Sequence, residues 1–488
     1  MNARAREIVQ KLWNASKSLQ GGGVSYLDYV SELTFLLFLK MLEERKREET
    51  VPQSCRWSAL KHLDGMELLT AYRRALLDLS DPKTAGSGSP LVAQIYADAK
   101  TSITQPASLR SLFNVIDQVD WFTLDEDGIG DLYEGLLERT VGERKSKAGQ
   151  YFTPRALIEC MVRLIKPQPG ETIQDPAAGT GGFLIGAHAY IRKATDDLFT
   201  LPSDEAFFQR RNAYIGMELI GSTRRLGIMN MMLHGIDAVL ADGDALGPDG
   251  EALGKADLIL TNPPFNKFPE RVARADFVIT ANSAKGPLPF VEHVVRALKP
   301  GGRAALVVPD NVLFDDNTGR KLRHWLMELT DLHTILRLPT GIFYAQGVKT
   351  NVLFLRRGTN DRANTKAVWV YDLRANMTAF GKTRPLTAAD FEAFEAGYGE
   401  DPNGGSLRTD EGPDGRFRKF SREEITARGD NLDISWLRDD SAEAEDGLED
   451  PEDIAAAILG HLRAALTEVE AVSDELESEE PALVEIEP

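Results

Sequence analysis

The sequence predicts an α/β protein: a doubly wound, mostly parallel sheet, preceded by a helical N-terminal region and followed by a helical tail. Three features lead there. From about residue 146, short apolar runs alternate with helical patterns, as in "ETIQDPAAG", "AYIGMEL", "ADLILTNPP" and "GGRAALVVPD"; strands separated by helices indicate βαβ units. Before that point, "LDYVSELTFLLFLKMLEERKREE" sets apolar residues at three- and four-residue intervals and then turns strongly charged. Near the end, "IAAAILGHLRAALTEVEAVSDEL" puts Leu459, Leu462, Leu466, Val469 and Leu476 on a helical spacing interrupted by Ser473.

At 488 residues the chain exceeds what one core supports. The expected divisions are a helical region over 1–145, an α/β domain over 146–430 with an irregular extension from about 359, and a linker with an acidic helical tail over 431–488. "DPKTAGSGSP" at 81–90 is a turn-rich loop within the first region. The apolar stripe of the tail suits packing on its own domain or a seam with a partner helix.

The N-terminal stretch "MNARAREIVQ" has no apolar core of a signal peptide, and "FLLFL" at 35–39 is too short for a bilayer. Two cysteines, Cys55 and Cys160, allow neither a disulfide framework nor a thiolate metal site. The expectation is a cytoplasmic protein away from the membrane. The net charge of −19 is unevenly spread: from Asp439 onward there are 18 acidic residues and one basic, Arg463, so the first 438 residues sum to −2. A near-neutral body supplies little of the sequence-independent phosphate attraction, which points to a partner that adds affinity for DNA.

The first strand pattern ends in "QDPAAGTGGFL" (174–184), where Gly179, Gly181 and Gly182 let the backbone approach a ligand and Asp175 can accept hydrogen bonds from it. The same turn suits a dinucleotide site or a simple strand-to-helix connection. Glu218 in "YIGMEL" ends the next strand, where a carboxylate can accept both ribose hydroxyls of a nicotinamide or S-adenosylmethionine cofactor. Asp244 in "ADGDAL" follows a third strand and can meet an adenine amino group. Upstream, "AGQYFTPRALI" (148–158) places Thr153 as a helix N-cap and Pro154 at the first helical position. Gln150, Tyr151 and Phe152 just before that cap suit an exposed helix N-terminus that holds a carboxylate.

"DLILTNPPF" (257–265) ends a strand in Asn262, two prolines and Phe265. Two prolines fix φ twice and remove two donors, so the segment is rigid and non-helical. An exocyclic amino group on a nucleobase is a poor nucleophile, because its lone pair is delocalised into the ring. Accepting hydrogen bonds from both its N–H groups favours a more tetrahedral nitrogen with the lone pair free. Asn262 can offer its side-chain oxygen and Pro263 its carbonyl, held ready by Pro263 and Pro264; Phe265 offers a stacking face.

"DPAAGTGGF", "GMEL" and "TNPPF", in that order and preceded by "GQYFTP", resemble the amino-methyltransferases of DNA. Over essentially its whole length, including "NLDISWL" at 431–437, the chain resembles the modification (methylase) subunit of type I restriction–modification systems. The resemblance implies a Rossmann-like methyltransferase domain that transfers a methyl group from S-adenosylmethionine to adenine N6 in duplex DNA. It implies cofactor contacts from Gln150, Tyr151, Phe152, Thr153, Pro154, Arg155, Thr180, Gly181, Gly182 and Glu218, and catalysis by Asn262, Pro263, Pro264 and Phe265. Asparagine rather than serine at 262 implies adenine N6 over cytosine N4. Implied partners are DNA, a specificity subunit, a second copy of this subunit and a motor-nuclease restriction subunit.

Other readings are an RNA or protein-glutamine methyltransferase, a nicotinamide dehydrogenase that leaves "NPPF" without a role, and a non-catalytic scaffold. Phe343 and Tyr344 in "GIFYAQG" suit a second stacking wall or core packing, and "ERKSK" (143–147) a DNA-facing basic loop or solvated charge. "GIFYAQGVKT" misses the phosphate-loop spacing, since five residues separate its glycines and Val348 precedes Lys349. With no HExxH and no ligand-like grouping among seven histidines, no metal is expected.

Overall fold

The computed structural model describes residues 3–437 except 21–25, 82, 85–89, 120, 122–125, 143–151, 239, 344–347, 378–379 and 381–383, together with 458, 459 and 462. Gln150, Tyr151, Tyr344, the "ERKSK" segment and nearly all of the predicted tail helix therefore lie outside the described residues.

The N-terminal region is helical, with its principal helices at Ala3–Gln20, Tyr26–Glu44, Gly65–Ser80, Pro106–Asp117 and Glu126–Gly142. The run Phe35–Leu39 is buried on every side, which explains why it lacks the polar face of a surface helix. Pro106 starts its helix, where a missing N–H costs nothing.

Among the described residues, nine strands form the main sheet: β1 (Ile173–Asp175), β2 (Tyr214–Glu218), β3 (Leu240–Asp242), β4 (Ala256–Thr261), β7 (Leu298–Pro309), β8 (Thr330–Leu338), β9 (Thr350–Arg357), β10 (Ala367–Asp372) and β11 (Phe417–Ser421). Their order is β11-β10-β8-β9-β7-β4-β1-β2-β3. β7, β4, β1, β2 and β3 are parallel neighbours, whereas β9 runs antiparallel to both β7 and β8, and β11 antiparallel to β10. A separate hairpin joins β5 (Phe268–Arg271) to β6 (Ala284–Lys285).

Both faces of the sheet are covered. Leu258 and Leu260 of β4 point into one apolar cluster, and Ala256 and Ile259 into the other. A parallel strand buried on two sides reads as a continuous apolar run, as "LIL" does. The first cluster continues without a break into Leu33, Leu36 and Tyr133 of the N-terminal helices. Arg225 fastens the two regions: its Nε donates to Ile95 O (2.7 Å), and its guanidinium lies 5.0 Å from the ring centre of Phe35.

The stretch from 359 departs from the irregular extension expected. It supplies β10, β11 and the helix Glu392–Tyr398, with Val368, Val370, Phe391, Phe394, Tyr398 and Phe417 buried. These elements are short and take their partners from far away in the chain, so periodicity within the segment is weak. "NLDISWL" packs back on the α/β domain: Leu432 N donates to Leu313 O in the helix Asn311–Phe314 at 2.9 Å, and Arg337 of β8 donates to Ser435 Oγ at 2.7 Å. Among the described residues, no helix is long and apolar enough to cross a membrane.

Candidate active site at the strand ends

The chain runs from β1 outward to β2 and β3, then returns to place β4 on the other side of β1. Open α/β sheets bind ligands where the winding direction reverses, at the carboxyl ends of the strands. A cavity of about 1050 Å³ lies there, and its wall includes Asp175 at the end of β1, Glu218 of β2, Asp244 after β3 and Asn262 after β4. Thr261 Oγ1 donates to Asp175 Oδ1 (2.7 Å), tying β4 to β1 across the reversal.

The glycine turn is held from below by the helix Gly221–Leu233. Asn230 Nδ2 donates to Thr180 O (3.0 Å), and Gly179 N donates to Glu218 Oε2 (2.9 Å). Glu218 Oε1 accepts from Ile220 N (2.8 Å). A carboxylate has lone pairs beyond these two bonds, so Glu218 retains capacity for a ligand. A methyl group built on Gly182 would come within 2.9 Å of Ile158, and one on Gly181 within 3.0 Å of Met231. Those two glycines permit close helix packing; Gly179, Thr180 and Gly182 line the cavity, whereas Gly181 does not.

Asn262 Nδ2 donates to Thr153 Oγ1 (2.9 Å). Its Oδ1 is buried and has no hydrogen-bond partner. This corrects the cap predicted from sequence: the helix Arg155–Ile165 starts one residue later, with Pro154 as its N-cap and no side-chain cap. Thr153 stands one residue before the cap, and its hydroxyl accepts from the asparagine instead. Pro263 is buried and Pro264 half-buried. Of "NPPF", Asn262 and Pro264 line the cavity. Phe265 instead packs against the core, edge-on to the buried Phe343 with ring centres 5.4 Å apart. Phe343 is thus a packing partner of Phe265.

Phe152, Thr153 and Arg155 line the cavity; Pro154 does not. The guanidinium of Arg155 is taken up by carboxylates, with Nη1 at 2.8 Å from Asp131 and 3.0 Å from Glu134. Those two residues come from the N-terminal helix Glu126–Gly142 and bring that region into the cavity wall. His234 brings a ring nitrogen within 4.8 Å of their carboxylates, but Arg155 already answers their charge. Asp244 is half engaged: Lys285 Nζ lies 2.6 Å from Oδ2, and Leu246 N donates to Oδ1 (2.9 Å). Sequence reading missed Leu219, Ile220, Phe268, Lys285 and Phe290, which also line the cavity. Leu219 and Ile220 carry a legible signal, since two large apolar residues directly after a strand-end carboxylate stand exposed (62% for Leu219).

Burial pushes the Asp175 carboxyl up to about 7, and the neighbouring Glu218 adds to the rise against the bonds from Thr261 and Ala177. Burial also raises Glu218, opposed by the N–H groups of Ile220, Gly179 and Leu219. The folded state therefore keeps a proton on Asp175 that the unfolded chain, at its ordinary 3.8, has lost. Ionising Asp175 costs stability as pH rises from about 4 to 7, on the order of a few kcal/mol at full ionisation. Asp175→Asn keeps an oxygen for Thr261 and removes the charge. Its melting temperature in the absence of ligand is expected to exceed the parent's above pH 7, with the difference closing towards pH 4. A difference independent of pH would contradict this origin.

Residues 124–446 match the family model described as N-6 DNA Methylase, and residues 8–119 the model described as HsdM N-terminal domain. The chain is 46% identical to the type I restriction enzyme StySPI methylase subunit of Salmonella potsdam, over 96% of this chain and 95% of that one. It is 45% identical to the EcoKI methylase subunit of Escherichia coli K12, over 98% and 96%. The crystal structure of the EcoKI M protein superposes with a TM-score of 0.57 at 42% identity, covering 96% of each chain. A chain from a structure of type I restriction–modification complex assembly gives 0.72 at 26% identity, covering 99% and 100%.

Proposed function

Since the chain belongs to the methylase subunits of type I restriction enzymes, we propose that Asn262 Oδ1 and the Pro263 carbonyl together grip the amino group of the adenine it methylates. The activity is methylation of adenine N6 in DNA, as the modification subunit of a restriction–modification complex. The observation that carries the residue assignment is the orphaned Oδ1 of Asn262. A buried acceptor left without a donor costs about 1–3 kcal/mol, and Thr153 orients the amide so that the unmet atom is the oxygen. An adenine amino group supplies the missing donor.

The strand-end residues fit S-adenosylmethionine. Glu218 would accept from the ribose hydroxyls, Leu219 and Ile220 would cover the adenine ring, and Asp175 and the turn at Gly179–Gly182 would surround the amino-acid part. The bound cofactor supplies an electrophilic methyl group on a sulfonium. The target base leaves the duplex first, at a cost of a few kcal/mol. Asn262 and Pro263 accept its two N–H bonds, which localises the lone pair on N6; once nitrogen carries the methyl group, one proton departs to water. No general base is required, and the two prolines keep the acceptors positioned beforehand.

A near-neutral body and a cavity at the strand ends support delegation of sequence reading to a specificity subunit, with a second copy of this chain and a motor-nuclease subunit completing the system. The curated relatives above give no support to an RNA or glutamine-amide substrate. Transfer of a labelled methyl group should appear on adenine of duplex DNA, and rise sharply when a specificity subunit is added. Equal transfer to RNA or to protein would reject the reading.

A further inference from the structure

We infer that Thr153 is a positioning residue that ties the polarity of the Asn262 amide to the carboxylate of the bound cofactor; this rests on Asn262 Oδ1 being the acceptor for the target amino group. The two ends of a carboxamide have nearly the same shape and opposite hydrogen-bonding character, so their partners tell them apart. Asn262 Nδ2 has Thr153 Oγ1 at 2.9 Å, and Oδ1 is buried without a partner. A threonine hydroxyl, however, both donates and accepts. By itself it holds the amide equally well turned over, with its own proton on Oδ1 and the Nδ2 donors towards the base. Keeping Nδ2 on Thr153 requires that the hydroxyl proton go to another acceptor.

Among the described residues, Thr153 Oγ1 has Asn262 as its one hydrogen-bond partner. Thr153 is half-buried in the cavity wall, so the acceptor comes from what fills the cavity. Water does not fix the hydroxyl, since water donates as readily as it accepts. A carboxylate only accepts. Thr261, one residue before Asn262, donates to Asp175 Oδ1 at 2.7 Å, so Thr153 and Asp175 are held to consecutive residues at the end of β4. Asp175 and the glycine turn surround the cofactor's amino-acid part, and the carboxylate of that part belongs on Thr153's side. Arg155 is already bound by Asp131 and Glu134 and does not compete for it. With its proton given to the carboxylate, Oγ1 can only accept, Nδ2 is its donor, and Oδ1 faces the base. A base with a carbonyl at that edge then meets two acceptors, Oδ1 and the Pro263 carbonyl, and is refused. Without the carboxylate the amide can turn, and the refusal weakens.

The test uses the assembled complex with its specificity subunit and two duplexes, with adenine or hypoxanthine at the target position. Hypoxanthine carries a carbonyl where adenine carries its amino group. Affinities are measured at saturating S-adenosylhomocysteine, which has the amino-acid part, or methylthioadenosine, which lacks it. Comparing the two ligands cancels the different cost of unpairing the two bases. The preference for adenine is expected to be about tenfold greater with S-adenosylhomocysteine, the worth of one mismatched contact at a base edge. In Thr153→Val the preference should be the same with either ligand, and Thr153→Ser should restore the difference. An equal preference with both ligands in the parent overturns the proposal, as does a ligand difference that survives in Thr153→Val. Asn262→Ala keeps the two readings apart, since it is expected to lose the preference altogether. If that variant prefers adenine as strongly as the parent does, Oδ1 does not meet the target base, whatever Thr153 does.

Discussion

Asn262→Ala is expected to lower kcat for DNA methylation by at least about 10²–10³-fold, the range for removing one preorganised polar contact to a reacting centre, with cofactor affinity within about twofold of the parent. Both halves follow from where the side chain sits. Its oxygen is a buried acceptor without a partner at the cavity wall, and its nitrogen is spent on Thr153. The substitution thus removes a contact made to the target base alone. Asp175, Glu218 and Asp244 belong to other strand ends and keep their own partners. Asn262→Asp retains an oxygen at the Oδ1 position, while the carboxylate oxygen that replaces Nδ2 accepts from Thr153, which becomes the donor; measurable turnover should return. Single-turnover methylation beside calorimetric titration of the cofactor separates the two halves. A variant that has lost cofactor binding as well would assign Asn262 to the wrong end of the cavity.

Gly227→Ala, on the face of the helix Gly221–Leu233 beneath the glycine turn, should weaken cofactor binding at least tenfold and destabilise the fold by about 1–3 kcal/mol, the range for overpacking a close contact. On helix propensity alone the same change would stabilise by about 1 kcal/mol. Packing wins here because the added methyl would lie 2.7 Å from Gly179 O, 2.8 Å from Leu240 Cδ1 and 3.3 Å from the Thr180 carbonyl carbon. Two of those three atoms belong to backbone, which cannot swing away like a side chain. The turn that ends β1 must move, and Gly179 and Thr180 with it. Thermal melting and cofactor titration read the two effects; wild-type affinity in a stably folded variant would show that the turn tolerates the shift.

Residues 262 and 227 differ in how far the sequence alone announces them. Asn262 stands in a run whose prolines and flanking strand mark it as special. Gly227 is one glycine in "RRLGIMNMM", with no turn, no positive φ and no motif around it. Its importance exists only when the helix lies against the turn some 48 residues earlier. Lys285 and Phe268 are hidden for the same reason. The hairpin that presents them exists only through the pairing of 268–271 with 284–285, and Asp244, the partner of Lys285, is 41 residues away.

The capped helix start illustrates a subtler failure. "TPRAL" satisfies every local rule for an N-cap followed by proline, and a helix does begin there. Yet the helix begins one residue later, with Pro154 in the cap position, and the threonine hydroxyl accepts from Asn262, a partner 109 residues away. Phe265 is drawn into the core by another distant partner, Phe343.

The sequence by itself determined the alternation of strand and helix, and the carboxylates and asparagine that close successive strands. Both follow from short-range physics: apolar periodicity sets the element, and a polar residue ending a buried strand must face the sheet edge. The tertiary structure alone decided which strand ends are neighbours, because the return of the chain from β3 to β4 across β1 is a property of winding, not of any segment. It also decided which oxygen is left unmet and which aromatic reaches the cavity, since those depend on how segments far apart in the chain compete for the same partners.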